Sequence, residues 1–81
     1  MGGGAVAANA SGWNYEYVGG GTWEYGTGVL TYSSFKQPTR FHTSTVKVDG
    51  VYAYSGTTRP GVTSNASRKL GRTNYAYWNN V

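Results

Sequence analysis

Trp13-Asn14-Tyr15-Glu16-Tyr17-Val18-Gly19-Gly20-Gly21-Thr22-Trp23-Glu24-Tyr25 is the stretch that decides the fold. Aromatic and polar residues alternate on both sides of three glycines, and a period of two sends successive side chains to opposite faces of a strand. No window of the chain repeats apolar residues at helical spacing. The alternation predicts two strands flanking the triglycine and an all-β protein. With the tip centred on Gly20, Tyr17 faces Trp23 and Tyr15 faces Tyr25 on one face, each pair stabilising by roughly 0.2–1 kcal/mol. That register also sets Glu16 opposite Glu24, and like charges directly opposed destabilise a ladder. Relief requires a one-residue slip, an irregular triglycine loop, a nearby Arg or Lys, or a bound cation. Three glycines specify register poorly, which favours the irregular loop.

Working outward, Val29 to Phe35 predicts a third strand, with Leu30 and Tyr32 on one face and Val29, Thr31 and Phe35 on the other. Lys36-Gln37-Pro38-Thr39-Arg40 then reads as a loop, since proline cannot donate to a central ladder. Phe41 to Val48 and Val51 to Ser55 flank Asp49-Gly50, the strongest short-range hairpin signal in the chain, because a type I′ turn needs positive φ at both central residues. A two-residue loop there pairs Val48 with Val51 and Val46 with Ala53 on a core face. It pairs Lys47 with Tyr52 and Thr45 with Tyr54 on an outward face. Gly50 is therefore a structural residue. Arg59-Pro60-Gly61 is a turn, Val62 to Ser67 a weak strand suited to an edge, and Tyr75 to Trp78 a final strand. Short strands separated by Gly, Pro, Asn and Asp turns predict a small antiparallel β-sandwich.

Composition bounds the rest. A chain of 81 residues is one domain, and a domain of that size buries only roughly 60% of the surface its unfolded chain exposes. Leu30 and Leu70 are the only leucines and cysteine is absent, so packing must come from aromatics, each burying roughly 150–250 Å². Three Trp, eight Tyr and two Phe exceed what so thin a core can hide, which leaves several for the surface. A net charge of +4 favours an anionic partner, yet with 12% charged residues the chain is no polycation. No apolar run is long enough to span a bilayer. Residues 1 to 10 are Gly- and Ala-rich, and Ala8-Asn9-Ala10 has the small-x-small form a signal peptidase cuts. They read as an unordered leader or signal-peptide remnant, with residues 11 to 81 forming the domain.

Catalytic constellations are weak. His42, the only histidine, would need Asp49 and a serine, but the two lie at different heights of one strand, and a structural role is the expectation. Glu16 and Glu24 are the only carboxylates able to approach each other, as a glycosidase would require, and they read as solvated acids. One His and three scattered acids do not make a metal site, so neither metal nor cofactor is expected. The glycines fit no phosphate-binding pattern. Lys36, Arg40, Lys47, Arg68, Lys69 and Arg72 interleave with Tyr as in single-strand nucleic-acid binders, but no RNP-like string accompanies them and no nucleic-acid partner is expected.

From about Gly20 onward the chain resembles the lactococcin 972 family of secreted bacteriocins. The resemblance rests on Gly20-Gly21-Thr22-Trp23, Tyr25-Gly26, Tyr32-Ser33-Ser34-Phe35, His42-Thr43-Ser44-Thr45-Val46, Gly61-Val62 and Tyr75-Ala76-Tyr77-Trp78-Asn79, in that order. It implies a cleaved signal peptide, a sandwich of two three-stranded sheets and secretion. It also implies killing of related Gram-positive bacteria through cell-wall synthesis at the septum, with lipid II as target. A cognate immunity protein or transporter in the producer and self-association into a dimer are implied as well. The strand from Trp13 to Val18 has no clear place in the family pattern. Beside the family motif, Trp23 reads as a structural anchor of the core.

Lipid II joins a pyrophosphate to two amino sugars and a peptide. Cations suit the pyrophosphate, and exposed aromatic faces suit the sugar rings. Lys47 with Tyr52 and Tyr54, or Arg72 with Tyr75 and Tyr77, are the two surfaces that offer both. The competing reading is a carbohydrate- or cell-wall-binding module without toxicity.

Overall fold

The structure, a computed structural model, describes residues 2–8 and 12–81. It contains eight strands: β1 (Gly3–Ala7), β2 (Gly12–Val18), β3 (Gly21–Thr27), β4 (Leu30–Lys36), β5 (His42–Val48), β6 (Val51–Tyr54), β7 (Thr63–Lys69) and β8 (Asn74–Asn80). They form two four-stranded antiparallel sheets, β1-β8-β5-β6 and β2-β3-β4-β7, which pack together as a β-sandwich. The sheets are one strand larger than the family resemblance implied, because β1 and β2 are added at their edges.

The Asp49-Gly50 hairpin forms in the expected register, Val48 opposite Val51 and Lys47 opposite Tyr52, with φ of 49° at Asp49 and 83° at Gly50. The triglycine does not stay irregular. Gly19 and Gly20 take φ of 58° and 82° and make a second two-residue turn of the same kind, so Val18 pairs with Gly21, Glu16 with Trp23 and Tyr15 with Glu24. This is the one-residue slip. A slip of one residue turns every side chain of the strand to the other face, which separates Glu16 from Glu24 and sends Trp13, Tyr15 and Tyr17 outward while Trp23 faces inward. Glu16 accepts a 2.5 Å hydrogen bond from the Tyr25 hydroxyl, which pushes the Tyr25 phenol up to about 12.

Residues 3–7 do not lie outside the fold, as the leader reading expected. Glycine and alanine leave room for β1 to pair along β8, and Ala8 is buried beside Trp23, Phe35 and Ala76. Asn9 and Ala10, which complete the expected cleavage motif, lie outside the described residues. β7 is an edge strand, as its small residues predicted, and it runs beyond the expected end at Ser67 through Arg68 and Lys69.

The interior is small and largely polar. Ala8, Trp23, Phe35, Val46, Val48, Ala66 and Ala76 are its buried apolar side chains, whereas Thr31, Ser33, Gln37, His42, Ser44, Ser64, Asn74 and Asn80 are buried with them. A buried polar group is costly unless hydrogen-bonded, and here the bonds join the two sheets. Thr31 Oγ1 donates to Asn74 Oδ1 at 2.7 Å, Ser33 Oγ to the Tyr77 carbonyl at 2.8 Å, and the Ser44 and Ser64 hydroxyls lie 2.6 Å apart. Trp23 Nε1 donates to Ser33 Oγ at 2.8 Å. Gln37, read from sequence as a loop residue, is a buried clamp: its Nε2 donates to the Gly19 carbonyl at 2.5 Å and its Oε1 accepts from the Thr39 N–H at 2.9 Å. The Gly19 carbonyl also accepts from Asn80 Nδ2 at 2.8 Å.

Candidate functional site

The outer face of the β1-β8-β5-β6 sheet collects four tyrosines that the core has no room for, Tyr52, Tyr54, Tyr75 and Tyr77. Lys47 stands across from Tyr52 on one side and Tyr75 on the other; Thr45 stands across from Tyr54 and Tyr77. The two surfaces that the sequence offered as alternatives are therefore one surface. Its tyrosines are ordered by each other. Tyr52 and Tyr54 stack with centroids 5.6 Å apart and planes 10° apart, and Tyr52 meets Tyr77 at 6.1 Å. Lys47 Nζ lies 5.2 Å from the centre of the Tyr52 ring, within cation–π range. Burial pushes the Tyr77 phenol up, with Tyr52 adding to the effect and Lys47 opposing it.

Beside these rings runs a shallow groove of about 860 Å³, crossing the sheet from Tyr52, Tyr54 and Tyr77 to Thr57, with Thr45 and the backbone of Gly3 to Ala5 along it. Lys47 and Tyr75 stand just beyond one end of the groove. Arg72 follows on the loop before β8, held there because its N–H and that of Thr73 donate to the Asp49 carboxylate at 3.0 and 2.9 Å. Those two amides hold the Asp49 carboxyl below its ordinary value. The arrangement can grip a ligand with an anionic end and a ring-bearing body: positive charge at one end, hydroxyl-bearing aromatic walls along the rest.

Sequence reasoning missed the contribution of β1 to the groove. The signal was there in Gly3-Gly4-Ala5-Val6-Ala7: a strand of small residues leaves a neighbour's rings uncovered. On the inner side of the same strand, a Cβ at Gly4 would sit 2.5 Å from Trp78 Nε1, so the missing side chain makes space for the Trp78 indole against the core.

The remaining candidates resolve differently. His42 is fully buried, with Nδ1 2.8 Å from the Arg40 carbonyl oxygen and Nε2 2.7 Å from that of Val62. It ties the start of β5 to two loops, and the whole length of β5 separates it from Asp49. Glu16 and Glu24 point to opposite faces of their sheet, so they cannot flank one bond. No three His, Asp or Glu cluster among the described residues. Trp23 is 1% exposed at the centre of the core.

No curated protein and no solved structure matches the chain. The family profile described as Bacteriocin (Lactococcin_972) matches residues 19–78, a span that begins at the β2–β3 turn and takes in the groove's tyrosines, Lys47, Arg72 and Trp78. With most of its 81 residues inside that match, the chain belongs to the lactococcin 972 family of bacteriocins.

Proposed function

We propose that the protein is a secreted bacteriocin that binds lipid II through the outer face of the β1-β8-β5-β6 sheet and so halts cell-wall synthesis at the septum of related Gram-positive bacteria. The observation that carries this reading is the convergence of Lys47, Tyr52, Tyr54, Tyr75 and Tyr77 on one face, with Arg72 at its margin. Lys47 and Arg72 meet the pyrophosphate, and charge-assisted hydrogen bonds of this kind are about twice as strong as neutral ones. The stacked Tyr52 and Tyr54 rings and Tyr77 take the amino sugars along the groove. Family membership supports a non-enzymatic role.

The test is a titration with lipid II and with a pyrophosphate-free analogue, followed by tryptophan fluorescence. Lipid II is expected to bind, the analogue to bind at least tenfold more weakly, roughly the loss of one charge-assisted contact of 1.5–3 kcal/mol. The triple variant Lys47→Ala, Tyr52→Ala, Tyr54→Ala should lose both binding and killing with its circular dichroism unchanged. Unchanged killing by that variant would overturn the assignment of the face. Retention on purified sacculi without growth inhibition would instead favour a wall-binding module.

A further inference from the structure

One end of the sandwich concentrates apolar side chains that none of the described residues covers. Leu30 pairs with Lys69 and Gly12 with Thr27 in one sheet, Val48 pairs with Val51 and with Asn74 in the other. The Thr31–Asn74 hydrogen bond shows that these strand ends lie at the same end of the molecule. The Leu70 N–H donates to the Val29 carbonyl at 3.2 Å, bringing two of the connections together. Exposed there are Trp13 (68%), Val29 (86%), Leu30, Val51 and Leu70. They stand on turns and strand ends, drawn from separate parts of the chain.

Arg68, Lys69 and Arg72 are exposed at the same end. Asp49 is the only acid there among the described residues, and its carboxylate is occupied by the Arg72 and Thr73 amides. Apolar tips surrounded by cations match the two layers of an anionic bilayer surface, hydrocarbon beneath phosphate, and Trp at such a boundary is favoured by its amphipathic ring. A cation near an anionic leaflet contributes about 1 kcal/mol.

We infer that this end of the sandwich docks on an anionic bilayer surface, with Trp13, Val29, Leu30, Val51 and Leu70 entering the interface and Arg68, Lys69 and Arg72 among the headgroups. The contact with lipid stands on these observations alone; its use rests on the lipid II reading. Lys47 and Arg72 lie at the docked end and the groove leads away from it, so a membrane-anchored ligand would meet the cations with its phosphates first and lay its sugars along the tyrosines.

The test uses the whole protein with vesicles of phosphatidylcholine, with and without phosphatidylglycerol and free of lipid II, by co-sedimentation and tryptophan fluorescence. The protein should sediment with the anionic vesicles and its emission should shift to the blue. The double variant Val29→Asp, Leu70→Asp, both positions being exposed, should bind at least about tenfold more weakly at unchanged thermal stability, and Phe41→Asp at the opposite end should bind as the parent does. Losing Arg68 alone, as Arg68→Gln, should weaken binding roughly fivefold on anionic vesicles. Equal losses in Phe41→Asp and the double variant would overturn the proposal, as would binding only to vesicles that carry lipid II, an outcome that leaves the lipid II reading intact. Binding to plain anionic vesicles with no gain from lipid II would uphold the docking end and count against the target. Self-association in the absence of vesicles that the double variant abolishes would make this end a contact between copies and sink the proposal.

Discussion

Asp49 does two jobs through one side chain. Its backbone adopts the left-handed conformation that opens the β5–β6 turn, and its carboxylate accepts the N–H groups of Thr73 and Arg72, which hold its proton affinity below the ordinary value. A carboxyl whose folded-state pKa is depressed stabilises the fold fully above the unfolded value of about 3.9, and that contribution disappears as pH falls through the lower folded value. Asp49→Asn keeps a residue that tolerates the turn while removing the charge. The variant should be less stable than the parent at pH 7 and equal to it in strong acid, as read from denaturation midpoints at both pH values. A constant difference between the two would show that the carboxylate's charge is not what matters.

The two β-hairpins with paired positive-φ residues show how far local chemistry fixes an element. Asp49-Gly50 announces its turn, its register and both its faces, and the structure follows on each count. Gly19-Gly20-Gly21 announces a turn but not which two glycines make it, and the choice is settled from outside: Gln37 and Asn80 bind the Gly19 carbonyl, and the ring of Trp78 packs so closely on Gly19 that a Cβ there would overlap it. Those partners are distant in the chain, so no local pattern could reveal them. A side chain at Gly50 meets open space, so Gly50→Ala should cost only the left-handed penalty of about 1–2 kcal/mol. Gly19→Ala carries that penalty and also displaces the indole. Chemical denaturation should rank Gly19→Ala the more damaging of the two, and equal losses would argue against the Trp78 contact. The added strand β1 escaped the sequence for a related reason: Gly3, Gly4 and Ala5 carry no pattern of their own and take their structure from β8.

For the whole molecule, the all-β sandwich was legible because alternation runs through nearly every strand, and the shared outward placement of Lys47, Tyr52 and Tyr54 because they lie on one hairpin whose register is readable. That Tyr75 and Tyr77 join the same face depends on β8 pairing with β5 across the intervening chain from 49 to 73, a long-range choice that two short patterns leave open. Least legible was the interior. Ser33, Ser44, Ser64, Thr31 and Asn74 look like surface residues in the sequence, yet they seam the sheets together. Unfolding such an interior exposes polar groups along with apolar ones, and polar exposure lowers the heat capacity while apolar exposure raises it. The unfolding heat capacity, measured by calorimetry, should therefore fall below the usual 12–15 cal/mol/K per residue, and a value in or above that range would contradict the reading. A small heat-capacity change flattens the curve of stability against temperature. Such a protein would keep its fold about as well in the cold as in the warm.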